Sequence, residues 1–295
     1  MTRLLEDDAL RLLREAGISV PDFETVKTVD AAVDATQGLG GRAVLKALIP
    51  AGGRGKAGAV RLVESPNEAG AFAASLLGRE ILHYPVTELL VSAPVDIARE
   101  VFVSFAFDSE TKKPVLLFSA KGGVDIETIL DKHPASLIRQ PLSLLTGFSK
   151  TDAHALTEAA GLSEPMAKNV AKVLAILWQV FTEREAELLE VNPLVLAPDS
   201  LVTAPTAVLN LDEQAMARHD DLIVATNRIR TNGWRPLTEL ELEMREIDAT
   251  DIGSSIRFNE FPEGDIALMV SGGGTGSRES VTTCGMLSRT PVCEF

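Results

Sequence analysis

The chain has 295 residues, 45% of them apolar and 24% charged, which gives room for two or more domains with sizeable cores. Its net charge of −14 excludes general binding to nucleic acid or anionic membranes, so an anionic ligand would need the few cations gathered locally. There is no long uncharged apolar run and no secretory h-region in the opening MTRLLEDDALRLLREAG, and Cys284 and Cys293 suggest neither a disulfide framework nor a zinc cluster, which leaves the cytoplasm as the default.

In chain order, Leu4, Leu5, Ala9, Leu12, Leu13 and Ala16 recur at helical spacing until Gly17, and Asp30 can cap a short helix through Ala35. An apolar run from Ala43 to Leu48 then carries Lys46 in its middle. A loop follows with Gly52, Gly53, Gly55 and Gly58 among Arg54 and Lys56, and Ala59 to Val63 alternates as a second strand. Strand, glycine-rich loop, strand reads as a flap that closes over phosphates, with bare backbone N–H groups and cations facing the anion. A Walker-type loop is excluded, because Pro50 stands five before Gly55, Ala57 follows Lys56 and no helix pattern begins. A flexible hairpin with solvated cations is the plain alternative. Against it, a lysine inside an apolar strand must be paired or face a cleft.

Pro66 opens a helix with Ala69, Phe72, Ala73, Leu76 and Leu77 on one face, and Gly78 could end it. Leu89 to Ser92, Glu100 to Phe107 and Pro114 to Ser119 read as strands, the last two antiparallel across the polar turn Asp108 to Lys113. Glu100 is either an exposed strand-end carboxylate or a group lining a cleft. Gly122-Gly123 reads as a close-approach loop, with Asp125 and Glu127 a solvated acidic face. Residues 151–182 read as helical, with Met166, Val170, Val173, Leu174, Leu177 and Phe181 as the stripe and Trp178 as core. In Glu190-Val191-Asn192-Pro193 the carboxylate and the amide oxygen point to one face of a strand. That pair suits magnesium, or equally an edge strand with a polar outer face. Ala197 to Ser200 make a hairpin turn.

Further on, Leu237 to Ile247 is helical and Ile266 to Val270 a buried-strand candidate. The run Ser271 to Gly276 is glycine-rich, Ser277 to Leu287 helical, and Pro291 to Phe295 starts a strand. Strand, glycine loop, helix makes an anion site at a helix N-terminus, or simply a tight βα turn. One βαβ start cannot cover both faces of a sheet. The expectation is therefore a fragment or truncated product, loosely packed or domain-swapped, with high mobility after about residue 250.

Four stretches together resemble the β subunit of the ADP-forming succinate–CoA ligase family: Val44-Leu45-Lys46 with AGGRGKAG at 51–58, VDIARE at 95–100, GGVDIE at 122–127 and LLEVNPLV at 188–195. The match runs from the N-terminus to about residue 220, with a weaker echo beyond. The resemblance implies an α+β ATP-grasp fold over 1–235, the flap lobe spanning about 20–95. It also implies a linker and the incomplete start of a flavodoxin-like CoA-ligase domain over 236–295.

Carried over residue by residue, Lys46, Gly53, Arg54 and Gly55 would hold the nucleotide phosphates. Glu100 would contact the nucleotide, and Ser92 and Val95 would stand near its adenine and ribose. Asn192 would bind magnesium, and Glu190 would face a phosphohistidine carried by a partner α subunit. Ser271 would match a substrate-touching asparagine. His83, His133, His154 and His219 need no catalytic part. Departures fall at Ser92, where the family has an acid, at Val95, and at Thr206, where it has the second magnesium ligand, an aspartate; Val208 replaces a lysine.

The implied cofactors are ATP or GTP and Mg²⁺, with CoA reached through the α-type partner. A small carboxylate is the substrate, and neither nucleic acid nor membrane is a partner. The reading is an acid–thiol ligase subunit. A degenerate ATP-grasp module with a structural or regulatory role is the alternative, and an independent carboxylate–amine ligase a third.

Overall fold

The apolar stripe of the first twenty residues folds as a helix flanked by strands. The computed structural model describes residues 2–123, 136–222, 238–250, 258–260, 266–268 and 291–294. They belong to two compact units, Met1–Trp234 and Arg235–Phe295. The first unit runs β1 (Thr2–Arg3), α1 (Glu6–Glu15), β2 (Phe23–Val26), α2 (Val29–Gly38), β3 (Ala43–Ala47), β4 (Val60–Val63), α3 (Pro66–Leu76), β5 (Glu80–Ile81), β6 (Tyr84–Pro85) and β7 (Leu89–Ser92). It continues through β8 (Arg99–Phe107), β9 (Pro114–Ser119), β10 (Leu137–Pro141), α4 (Lys150–Ala159), α5 (Met166–Glu183), β11 (Ala186–Leu196), β12 (Val202–Thr203) and β13 (Val208–Leu211).

Two antiparallel sheets organise this unit. The smaller has the order β2-β7-β3-β4, and the larger β1-β13-β11-β8-β9-β10 with β12 on β11. Helices against antiparallel sheets make the α+β class that was expected. α2 and α3 cover the smaller sheet, burying Ala32, Ala35, Ala69, Phe72 and Leu76 with Ala43, Leu45 and Ala47 of β3. The larger core gathers Leu10 and Leu13 of α1, Phe105 and Phe118 of the sheet, and Leu174, Trp178 and Phe181 of α5. The Trp178 and Phe181 rings stack with centroids 5.8 Å apart, so the tryptophan is core.

Local chemistry moves several boundaries. Thr28, not Asp30, caps α2: its hydroxyl accepts from the Ala31 N–H at 3.2 Å, and the helix runs on to Gly38. Asp30 sits in the first turn, where its charge suits the helix dipole. The stretch expected to be helical over 151–182 forms two helices, with a break between them. A Ser149–Asp152 capping box starts α4. Gly161, at φ +79°, follows its C-terminus, and α5 begins after Pro165. α3 starts at Pro66 behind a Ser65 cap, as read from sequence.

The second unit contains α6 (Glu239–Thr250), β14 (Asn259–Glu260), β15 (Ile266–Leu268) and β16 (Pro291–Glu294). Thr238 and Glu241 cap α6 reciprocally, at 3.2 and 3.0 Å. β15 and β16 pair in parallel, the relation that a strand–loop–helix–strand reading requires, and β14 joins β16 antiparallel. The glycine run at 271–276, the helix expected over 277–287 and most of the stretch expected to be mobile lie outside the described residues. Among the described residues no helix is long and apolar enough to cross a membrane.

Candidate functional site

β3 presents its lysine by simple alternation. Ala43, Leu45 and Ala47 point into the smaller core, so Lys46 points the other way, on the side where its register partner Leu90 joins the larger core. Buried there, it is paired: its Nζ donates to Glu6 Oε1 at 2.7 Å and to the Pro205 carbonyl at 2.7 Å. Arg54 reaches the same place from the flap, donating to the other oxygen of Glu6 and to the Ala47 carbonyl at 3.1 Å. The Glu6 side chain is only 2% exposed. Burial alone would raise the pKa of its carboxyl, but the Arg54 and Lys46 charges and their hydrogen bonds hold it down at about 2.

Arg3 belongs to the same field. Its burial and the neighbouring Arg54 lower its pKa, while Tyr84, Glu190 and Glu6 act in the opposite sense. The electrostatics therefore link β1, α1, the flap and β11.

The flap between β3 and β4 is closed by its own turns, Ala57 N–H to Gly53 O at 3.1 Å and Ala59 N–H to Arg54 O at 2.9 Å. Gly53 has φ +72° and needs to be glycine on backbone grounds. Gly55 does not: its φ is ordinary, it is exposed, and a Cβ there would meet nothing within 4 Å. A bare backbone at Gly55 leaves room for close approach by a group outside the chain.

A second group forms around β11. Glu100 on β8 lies against the Gly122-Gly123 loop, where the Gly122 N–H donates to the Glu100 carbonyl at 2.9 Å. A Cβ on Gly123 would fall 2.2 Å from Glu100 Oε2. The Gly123 N–H donates to Asn192 Oδ1 at 3.1 Å. Glu190 pairs with Ser104 and Val208, and the register with β8 shifts between Val191 and Leu194, so strict alternation ends just before Asn192. Glu190↔Val208 is the last β11–β13 pair before Asn192 on β11 and Thr206 in the loop ahead of β13, each two residues further along the chain toward the same end.

The candidate donors at this end of β11 are oxygens: the half-buried Glu190 carboxylate, the Asn192 amide oxygen already accepting one N–H, and the half-buried Thr206 hydroxyl. That set fits a hard ion such as magnesium in kind, with a single carboxylate and the remaining charge left to a polyanionic ligand.

Ser92 is buried at the end of β7, its hydroxyl turned to the Val44 carbonyl at 3.4 Å rather than outward. Val95 is half-buried in the connection from β7 to β8. Ser271 lies outside the described residues, as do His133, Asp125 and Glu127. His154 contacts Glu164 at 2.6 Å and His219 contacts Glu185 at 3.1 Å, both away from the site residues. A cavity of about 940 Å³ walled by Leu142, Leu144, Phe148 and Leu156 holds none of the site residues.

Sequence reasoning missed Glu6 and Arg3. The signal for Glu6 was present: four residues before Leu10 and seven before Leu13, it stands on the apolar face of α1, where a carboxylate needs a buried partner.

A family model described as ATP-grasp domain matches residues 3–196. Curated relatives named ADP-forming succinate–CoA ligase subunit beta include one from Halorubrum lacusprofundi, 36% identical over 220 residues, 75% of this chain and 58% of the relative. Another, from Rubrobacter xylanophilus, is 32% identical over 271 residues, 92% of this chain and 67% of the relative. The chain thus spans less than two thirds of the length of the first of these. Among solved structures, ATP citrate lyase from Methanothrix soehngenii in complex with citrate and coenzyme A aligns with a TM-score of 0.65 at 19% identity, over 99% of this chain and 72% of that one. Ca. Korarchaeum cryptofilum ACD1 in complex with coenzyme A aligns at 0.57 and 19%, over 72% of this chain and 94% of that one. At such identities the likeness is one of fold.

Proposed function

This chain belongs to the ATP-grasp family, in the branch of ADP-forming succinate–CoA ligase β subunits, and from that premise we propose that it is the nucleotide-binding part of an ADP-forming carboxylate–CoA ligase. The reaction is ATP, a small carboxylate and CoA giving acyl-CoA, ADP and phosphate, through an acyl phosphate and a phosphohistidine on an α-type partner. Residues 1–235 form the nucleotide domain, 236–295 open the CoA-ligase domain, and the enzyme works in the cytoplasm. The observation that carries this reading is the convergence of Lys46 and Arg54 on one buried point beneath a flap whose Gly55 the fold itself does not require.

Phosphoryl transfer asks the protein mainly for positioning and charge. Lys46 and Arg54 hold the phosphates, Gly53 and Gly55 let the flap backbone approach them, and Glu100 contacts the nucleotide. Ser92 and Val95 stand near the base and ribose, and Ser271 touches substrate. Asn192 and Thr206 would hold magnesium, which when bound neutralises phosphate oxygens. Glu190 orients the visiting phosphohistidine. Calorimetry with Mg-ATP tests binding, and transfer of labelled phosphate to a co-expressed α-type subunit tests the reaction. Absence of binding at millimolar nucleotide would overturn the reading.

Two observations favour a second reading, a degenerate module with a structural or regulatory role. Thr206 offers a hydroxyl where the resemblance calls for a carboxylate, and the buried Ser92 hydroxyl faces its own sheet. A well-folded chain that binds no nucleotide would select it.

A further inference from the structure

We propose that Glu6 is a positioning residue of the phosphate site: its carboxylate sets Lys46 and Arg54 in place and pins the glycine flap to α1 before a nucleotide arrives. The proposal rests on the nucleotide-binding reading above and adds to it a residue outside the strand–flap–strand unit.

Two cations brought together in a buried place repel each other and resist desolvation. Glu6 offsets both effects by giving one oxygen to each, Oε1 to Lys46 and Oε2 to Arg54. The division fixes the distance between the two side chains as well as balancing their charge. Neither cation is exhausted by the arrangement. The ammonium of Lys46 has three donors, and its described bonds to Glu6 and Pro205 use two. The Arg54 fork divides its described bonds between Glu6 and the Ala47 carbonyl. With Glu6 ionised, the trio keeps a net positive charge, and Arg3 adds to it. A phosphate arriving here meets side chains already ordered, so it need not supply the entropy cost of fixing them.

The flap consequence follows from where Arg54 sits. The flap's own bonds are short-range turns, whereas Arg54 to Glu6 spans 48 residues and ties the flap to a helix in the larger core.

The test uses the whole chain as wild type, Glu6→Gln and Glu6→Asp. Gln keeps the shape but loses the charge, and offers an N–H₂ to one of the cations. Asp keeps the charge on a shorter reach. Trypsin cleavage after Arg54 reports the flap, calorimetry with Mg-ATP reports the site, and both are run below each variant's melting transition. Glu6→Gln is expected to be cut after Arg54 about tenfold faster than wild type and to bind Mg-ATP about tenfold more weakly, with Glu6→Asp intermediate in both. Faster cleavage with unchanged affinity would overturn the positioning role and leave a structural ion pair, and unchanged cleavage would overturn the pinning of the flap. Wild type that binds no Mg-ATP would instead fail the nucleotide reading, a result told apart because the cleavage comparison needs no ligand. Should Glu6→Gln lack a cooperative melt, Glu6→Asp decides: wild-type affinity in that variant overturns the proposal.

Discussion

Glu6 Oε1 accepts a 2.7 Å hydrogen bond from Lys46 Nζ, joining the first helix to the strand that leads into the glycine flap. Forty residues of chain separate the two, and both side chains are under 10% exposed. Breaking one side of a buried ion pair leaves the other side's charge uncompensated, which costs about 3–5 kcal/mol. Here two cations would be stranded. Glu6→Ala should therefore lower the unfolding free energy at neutral pH by about 3 kcal/mol or more, measured by urea denaturation. A loss below about 1 kcal/mol would show that water or other groups already screen the trio.

The same pair sets a pH dependence. The Glu6 carboxyl titrates at about 2 in the fold against 4.5 for the free group. Its folded value is depressed, so its contribution is complete above the ordinary value and is lost as pH falls from about 4.5 toward 2. The linkage amounts to about 3 kcal/mol. The stability gap between wild type and Glu6→Gln should be widest at neutral pH and narrow steadily below about pH 4.5. A gap that is flat down to pH 3 would contradict the assignment.

Gly55 and Gly123 should separate cleanly. Gly55→Ala meets open space at an ordinary φ, so its melting temperature should stay close to wild type while Mg-ATP affinity falls. Gly123→Ala would place a Cβ 2.2 Å from Glu100 Oε2 at φ +71° and should destabilise by about 1–3 kcal/mol. In the Gly123→Ala/Glu100→Ala double variant the collision disappears and only the φ penalty remains, so the two changes should be non-additive. Additive losses would mean the carboxylate is not the obstacle.

Thr206→Asp restores the carboxylate that the resemblance places in the loop beside Pro205. If Asn192 and residue 206 share a magnesium ion, the variant should tighten magnesium-dependent nucleotide binding by about tenfold and leave metal-free binding little changed. Calorimetry with ATP in the presence and absence of magnesium reads both. Weaker binding in both conditions would remove Thr206 from the site.

Much of this was legible in the residues alone. Short continuous apolar runs bounded by polar turn residues placed Leu89–Ser92 and Pro114–Ser119 to the residue, and both strands are buried on both faces. Pro66 behind a serine started its helix for reasons contained in four residues. Lys46 announced a partner or a cleft, since an apolar strand offers an ammonium nothing else. The break between α4 and α5 was missed because 151–182 was read as helical throughout, although Gly161 and Pro165 stand before the stripe that begins at Met166.

What the sequence by itself determined was α1, α3 and the strands β3, β4, β7, β8 and β9, the flap between two of those strands, and the presence of an ammonium needing company. The tertiary structure alone decided that the company is Glu6, with Arg54 on its other oxygen and the Pro205 carbonyl, 159 residues away, on the same lysine. Local rules act over a turn of helix or a pair of strand positions. Pairing among distant side chains depends on how the sheets and α1 pack together, and that is a property of the whole fold.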